Sequence, residues 1–254
     1  MSESFELSGR RILVTGASSG IGAATCRSIV RAGGSVAMLA RRKDRLDALA
    51  EELGVVRAVP VECDVTNHHD LESKLAGAAR ALGGLDAVVS VAGKMMTGTV
   101  ATGTPERWRE LIDLNLVAPL ATIRYALPHF SKEGRRDVIL VGSTGALTPQ
   151  SGVGIYAASK RGLEAAFDSL RLELAPVGIN VSLVMPGMFE TEGLTIEGLI
   201  MDGEIPPSDI PFFVDGGQPA APEELADCIT FLMSRPDGIC VSEIVVRPSS
   251  QLNP

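Results

Sequence analysis

The sequence predicts an α/β fold: a single domain over residues 1–254 built on one doubly wound parallel sheet of about seven strands. Three observations carry that expectation. Short runs rich in Val, Ile and Leu alternate with longer stretches of helical period. Most of these runs are apolar at consecutive positions, as strands covered by helices on both faces must be. No repeat, low-complexity tract or interdomain linker interrupts the alternation.

Taken in order, RILVTG, SVAMLA, VVRAVPVE, DAVVSVAG, DVILVGS, NVSLVMPG and ICVSEIVV read as the strands. The helices between them are expected at 20–32, 43–53, 67–82, 104–130, 152–175 and 222–233. Alternating β and α elements imply right-handed crossovers, and ligands in such sheets sit beyond the carboxyl ends of the strands, near the reversal of strand order. One long irregular stretch, 188–218, contains EIPPSDIPFFVDGGQP; loops of that length often act as lids or binding loops, and a substrate loop is expected there. Phe212, Phe213 and Ile200 favour packing over a bare excursion.

Bulk properties limit the partners. A chain of 254 residues buries roughly three-quarters of its unfolded surface without staples. A net charge of -8 and a pI near 5.0 argue against nucleic acid, whose phosphates reward a basic face. No apolar run approaches the roughly 20 residues of a membrane helix, and MSESFELSGRR lacks a signal-peptide core, so no membrane association and a cytoplasmic location are expected. Cys26, Cys63, Cys228 and Cys240 lack C-x-x-C spacing and read as ordinary thiols. His68, His69 and His129 likewise show no spacing that marks a metal, and none is expected.

The first strand ends in TGASSGIG, Thr15 to Gly22. Glycine there permits a tight turn and close approach of the backbone to a pyrophosphate, while the following helix start offers unpaired N–H groups. Alone, such a turn is a weak signal that favours a ligand only modestly over a plain tight turn, since the spacing G-x-x-x-G-x-G is not the general dinucleotide fingerprint. Its place after the first strand strengthens the ligand reading. The second motif, YAASK, sets Tyr156 and Lys160 four apart on one helix face, a spacing common on any helix. Ser143, in VGSTG thirteen residues upstream, lies just past a strand. Converging hydroxyl, phenol and ammonium groups make a plausible proton-transfer site, in which the ammonium is expected to draw the phenol pKa down.

With these motifs in place the chain resembles the short-chain dehydrogenase/reductase family along nearly its full length: TGASSGIG, CDV, VAG, NL, Ser143, YAASK and PGMFET occur in the family's order. The resemblance implies a Rossmann fold and a carbonyl/alcohol oxidoreductase with Tyr156 as general acid or base, Ser143 orienting the substrate oxygen, and Lys160 holding the nicotinamide ribose and lowering the tyrosine pKa. Asn115 would help hold a water that links the lysine to solvent. Gly16, Ser18, Ser19, Gly20, Ile21 and Gly22 would cradle the cofactor phosphates, Asp64 and Val65 would meet the adenine, and Gly93, Pro186, Gly187 and Thr191 would line the rest of the cofactor. Met95, Gln150, Val153 and Met188, with Ser143, are the candidate substrate contacts. Methionines suit an adaptable pocket but fill cores more commonly. Lys94 could meet a substrate carboxylate or simply face water.

Two positions need comment. Ser90 stands where many relatives carry an asparagine that braces the central sheet. VDGG at 214–217 imitates a family ending, whereas SEIVVRPSSQ reads as the true last strand and resembles NADP-dependent hydroxy-acid dehydrogenases and small carbonyl reductases.

The run LARRKDRL, residues 39–46, concentrates positive charge in an acidic chain. Charge runs usually keep a face solvated, which accounts for Lys43 and Arg45. Arg41 is different. An NAD-selective protein usually has a carboxylate near this point for the ribose 2'-hydroxyl, but Ala40 has none. The guanidinium of Arg41 suits a 2'-phosphate, with Ser18 or Arg42 helping, so the expected cofactor is NADP(H). A Rossmann-like methyltransferase would have no use for Ser143, Tyr156 and Lys160, and a catalytically silent NADP(H)-binding regulator would usually lose one of them. The family precedent is a homodimer or homotetramer packed through the long helices that start near Thr104 and Gly152, acting on a small carbonyl or alcohol.

Overall fold

The structure, a computed structural model, describes residues 5–147, 151–192 and 217–252. Its sheet has seven parallel strands in the order β3-β2-β1-β4-β5-β6-β7. They are β1 (Arg11–Thr15), β2 (Ser35–Ala40), β3 (Ala58–Glu62), β4 (Ala87–Ser90), β5 (Asp137–Val141), β6 (Asn180–Pro186) and β7 (Glu243–Val246). The helices are α1 (Gly20–Arg31), α2 (Lys43–Leu53), α3 (His68–Leu82), α4 (Pro105–Ile112), α5 (Ala118–Ala126), α6 (Gly154–Leu174) and α7 (Pro222–Met233).

The period of two along each strand feeds two apolar layers. Ile12, Val14, Val36 and Met38 point to the face covered by α1, α2 and α7, through Ile29, Leu46, Leu49, Leu225 and Ile229. Leu13, Ala37 and Leu39 point to the opposite face, where Leu71 and Leu75 of α3 and Ala118 and Ala126 of α5 pack. Leu163 and Phe167 of α6 continue that layer over Val138, Leu140, Val181 and Leu183. Both faces are dry over β1, β2, β4, β5 and β6, which is why those strand sequences are apolar without alternation, whereas the edge strands β3 and β7 alternate between covered and exposed positions. Because β1 pairs with both β2 and β4, the strand order reverses there, and a crevice opens at the carboxyl ends.

Three boundaries differ from the sequence expectation. The run VVRAVPVE forms a strand only from Ala58; Val55 and Val56 lie in an exposed turn closed by Arg57 N–H donating to the Gly54 carbonyl at 2.9 Å. The final run pairs only from Glu243, and Ile239 before it is exposed. The helix expected over 104–130 is interrupted by a π-turn at Asp113–Val117, and 127–129 closes it as a 3-10 turn. Pro119 has no N–H to give the carbonyl of Asn115, so the regular ladder cannot run through. The N–H of Ala118 instead reaches the Asp113 carbonyl, five residues back.

Candidate active site

The carboxyl ends of β1, β2, β4, β5 and β6 enclose one groove of about 890 Å3. Every residue singled out above for cofactor or substrate lines it, with two exceptions. Gln150 lies outside the described residues, as does most of the expected substrate loop at 188–218. Asn115 stands behind the groove wall.

The glycine turn shapes one end. Gly16 has φ +68°, and a Cβ there would come within 2.9 Å of the Ala92 backbone; a Cβ on Gly22 would overlap the Gly16 carbonyl. Only glycine lets α1 start this close to the β4 exit. Thr15 ties the two exits together, its Oγ1 accepting from the N–H groups of Val91 and Ala92 at 3.2 Å each. Ser19 caps α1 without using its side chain on the helix. Ser90, directly below, is buried, and its Oγ has no hydrogen-bond partner among the described residues.

At the outer end, Arg41 and Arg42 take different positions. The Arg41 side chain is 78% exposed and its Nη1 lies 3.9 Å from Asp64. Arg42 reaches inward, donating from Nε and Nη2 to Ser18 Oγ at 3.1 and 3.0 Å. Burial raises the Asp64 pKa, but hydrogen bonds from Thr66 N–H and Oγ1 and the charge of Arg41 outweigh it and hold the carboxyl below its usual range.

At the inner end, Ser143 leaves β5 in an extended conformation, and its Oγ accepts from Gly145 N–H at 3.1 Å. Tyr156 and Lys160 lie one turn apart on α6, as their spacing requires. Lys160 is 6% exposed, and its Nζ donates to the Val141 carbonyl at 2.9 Å. Burial pushes its pKa down to about 8. The expectation that Lys160 draws the phenol pKa down is corrected here: burial raises the Tyr156 pKa, and the opposing pull comes from a hydrogen bond with Ser143. The ammonium is turned to the Val141 carbonyl at the β5 end, and the protein packed around the phenol disfavours its charged form.

Asn115 is fully buried and braces the wall. Its Oδ1 accepts from Lys94 N–H and its Nδ2 donates to the Lys94 carbonyl, both at 2.9 Å, with a further bond to Ser159 Oγ at 3.1 Å. The π-turn thus aims Asn115 at the backbone that carries Gly93 and Met95. Lys94 itself is exposed at the rim. Met95 and Met96 both line the groove, and Met96 is also buried against Leu111, Trp108 and Ile155.

Three contributors have no motif. Gln251 Oε1 accepts from Met188 N–H at 2.8 Å and fills the space where a Cβ on Gly187 would stand. Glu192 meets Arg42 across the groove. His68 pairs with Asp113 at 3.1 Å, joining α3 to the π-turn. Only the proximity of Glu192 to PGMFET could have drawn attention to it. The four thiols are free, and burial pushes the Cys26 and Cys63 pKa values up, so both stay protonated. Among the described residues no cluster of His, Cys, Asp or Glu is arranged to hold a metal, and no helix is long and apolar enough to cross a membrane.

Comparison with known proteins agrees with this architecture. Residues 10–197 match the family described as short chain dehydrogenase. An uncharacterized oxidoreductase of Staphylococcus haemolyticus is 30% identical over 96% of this chain and 99% of its own length. A glycine betaine reductase of Emericella nidulans is 34% identical over 96% of this chain, which spans only 19% of that larger protein. A short chain dehydrogenase of Burkholderia cenocepacia, solved in complex with NADP, superposes with a TM-score of 0.81 at 26% identity, over 95% of this chain and 98% of that one. With its seven-stranded sheet, its glycine turn and the matched span from Arg10 onward, the chain belongs to the short-chain dehydrogenase family of oxidoreductases.

Proposed function

We propose that the protein is an NADP(H)-dependent oxidoreductase that interconverts a carbonyl compound (an aldehyde, ketone or oxo acid) and the corresponding alcohol. The observation that carries this reading is the basic outer end of the groove, where Arg41 and Arg42 follow β2 beside Ser18 and Ala40 offers no carboxylate to a 2'-hydroxyl. The relative solved with NADP supports it. The residues present fit a dinucleotide: Gly16 and Gly22 clear the backbone for a pyrophosphate, and the Ser19 hydroxyl is not used on the helix.

When bound, NADPH supplies the hydride. Ser143, oriented by Gly145 N–H, turns its hydroxyl proton toward the phenol or a substrate oxygen and stabilises charge developing there. Tyr156 gives its proton to the carbonyl oxygen in reduction and takes it back in oxidation. Because burial keeps the phenol protonated at neutral pH, the resting chain is set for reduction, the direction favoured in a cytoplasm that keeps NADPH reduced. Lys160 stands below the phenol to hold the nicotinamide ribose, and Asn115 fixes the wall behind it. Met95, Val153 and Met188 give the substrate end an apolar lining. A homodimer or homotetramer follows the family precedent, and Val117 and Leu172 are exposed apolar groups on the helical segments it would use.

The test is steady-state reduction of a panel of aldehydes, ketones and oxo acids with each coenzyme. NADPH should give a kcat/KM about 10- to 100-fold above NADH, the range expected of a charge-assisted phosphate contact. Comparable efficiencies with the two coenzymes overturn the cofactor assignment. Tight NADPH binding with no carbonyl consumed overturns the enzymatic one.

A further inference from the structure

The basic end of the groove already holds an anion, and that anion belongs to the chain. Arg42 precedes α2 and Arg45 lies in its first turn, while Glu192 follows Thr191 on the far side of the groove. Arg42 Nη1 donates to Glu192 Oε2 at 2.6 Å, and Arg45 Nη1 donates to Oε1, so each carboxylate oxygen has its own guanidinium. The residues are 150 and 147 positions apart, so local sequence does not impose the contact. Hydrogen bonds from Arg42 and then Arg45 hold the Glu192 carboxyl below its usual range, and it is ionised at neutral pH.

The same Arg42 is committed to the glycine turn. Its Nε and Nη2 donate to Ser18 Oγ and its Nη2 also to Ser19 Oγ at 2.5 Å. The remaining edge of this guanidinium is the one that Glu192 takes. A planar guanidinium presents a limited fork of donors, and two anions cannot share one edge without loss of geometry and mutual repulsion. Arg41, beside it, is exposed and loosely placed near Asp64.

We infer that Glu192 is a coenzyme-selectivity residue: its carboxylate occupies the edge of Arg42 that a ribose 2'-phosphate requires, and so weakens binding of phosphorylated dinucleotides without affecting unphosphorylated ones. A 2'-hydroxyl carries no charge and does not contest the guanidinium, so NAD(H) meets no such competitor. The inference rests on the reading that this end of the groove receives the 2'-phosphate. The pair is half exposed, with side-chain exposures of 40% for Arg42 and 52% for Glu192, so water screens it and the competition is modest.

The experiment is direct titration of wild type and Glu192→Gln with NADPH, NADH, adenosine 2',5'-bisphosphate and adenosine 5'-monophosphate, by calorimetry at fixed ionic strength. Glu192→Gln should tighten NADPH and the bisphosphate about two- to fivefold, the scale of an exposed ion pair, and leave NADH and the monophosphate unchanged. Unchanged NADPH affinity overturns the inference. An equal change for phosphorylated and unphosphorylated ligands also overturns it, since Glu192 would then strap the groove over any dinucleotide. Wild type that binds NADH more tightly than NADPH defeats the coenzyme reading itself, a result independent of the variant.

Discussion

The two edges of the sheet use the same kinds of residue to opposite ends. At the amino edge, arginines and carboxylates are closed on one another. Arg10 and Arg135 both pair with Asp137 at 2.8 Å, and Arg11 pairs with Asp86 at 2.8 Å while its backbone N–H donates to the same carboxylate at 2.9 Å. Arg135 also caps the carbonyls of Leu232, Pro236 and Ile239. At the carboxyl edge, Ser143, Tyr156, Lys160, Arg41 and Arg42 border a groove that a ligand can enter, and the arginines closed on a carboxylate there, Arg42 and Arg45 on Glu192, are half exposed at its mouth rather than buried in the fold. Charge neutralised within the fold fastens elements together, whereas charge held at the edge of a cavity is available for recognition and proton transfer.

The sharpest way to test this division is Tyr156→Phe. Removing only the transferable proton should lower kcat by about 10²- to 10⁴-fold, with NADPH affinity and the denaturation midpoint unchanged. A variant with near-normal turnover excludes Tyr156 as the proton donor. The mirror experiment is Asp137→Ala at the amino edge. It leaves Arg10 and Arg135 facing each other without their carboxylate and should cost about 3–5 kcal/mol in denaturant unfolding, while the NADPH-to-NADH preference stays fixed. A shift in that preference would mean the edges are coupled.

The smallest effect blurs the division, because Lys160 belongs to the carboxyl edge yet is buried. Its folded pKa, about 8, lies below the ordinary 10.5, so between these values the unfolded chain binds more protons than the native one. The lysine's burial therefore costs most below pH 8, and relief of that cost should contribute about 3 kcal/mol as pH climbs through that window, opposed by the buried thiols of Cys26 and Cys63, which lose their protons first in the unfolded chain. The unfolding free energy of the cofactor-free protein measured across it should lose about 3 kcal/mol more in Lys160→Met than in wild type, since the opposing thiols are common to both. Equal slopes in both would exclude the buried lysine as the source of the difference.

The sheet was legible because burial on both faces leaves unbroken apolar runs, and the motif residues were legible because each is contiguous with a strand end. Val55 and Val56 show the limit: β-branched residues look like strand whether they pair or, as here, stand exposed in a turn. Pro119 carried the signal for the helix interruption, but a proline alone does not say whether a helix ends or takes an extra residue. The contacts of Glu192 with Arg42 and of Gln251 with Met188 join residues 150 and 63 positions apart through single side chains, which leaves no periodicity to read. The direction of the Tyr156 shift depends on how much protein surrounds the phenol, a property of the packed fold.

The π-turn also fixes a length. An α-helix advances about 100° per residue, so one residue added without a regular turn rotates everything after it by roughly that angle. α4 lies against α6, whereas α5, which follows the π-turn directly, lies against α3. A single uninterrupted screw would present one stripe to both neighbours; the offset at Asp113–Val117 gives each its own. Insertions and deletions should therefore be tolerated very unevenly. The exposed turn at 54–57 can change length without rotating a helix, but one residue removed from 113–117 would turn α5 away from α3, or α4 away from α6, and swing Asn115 off the Lys94 backbone.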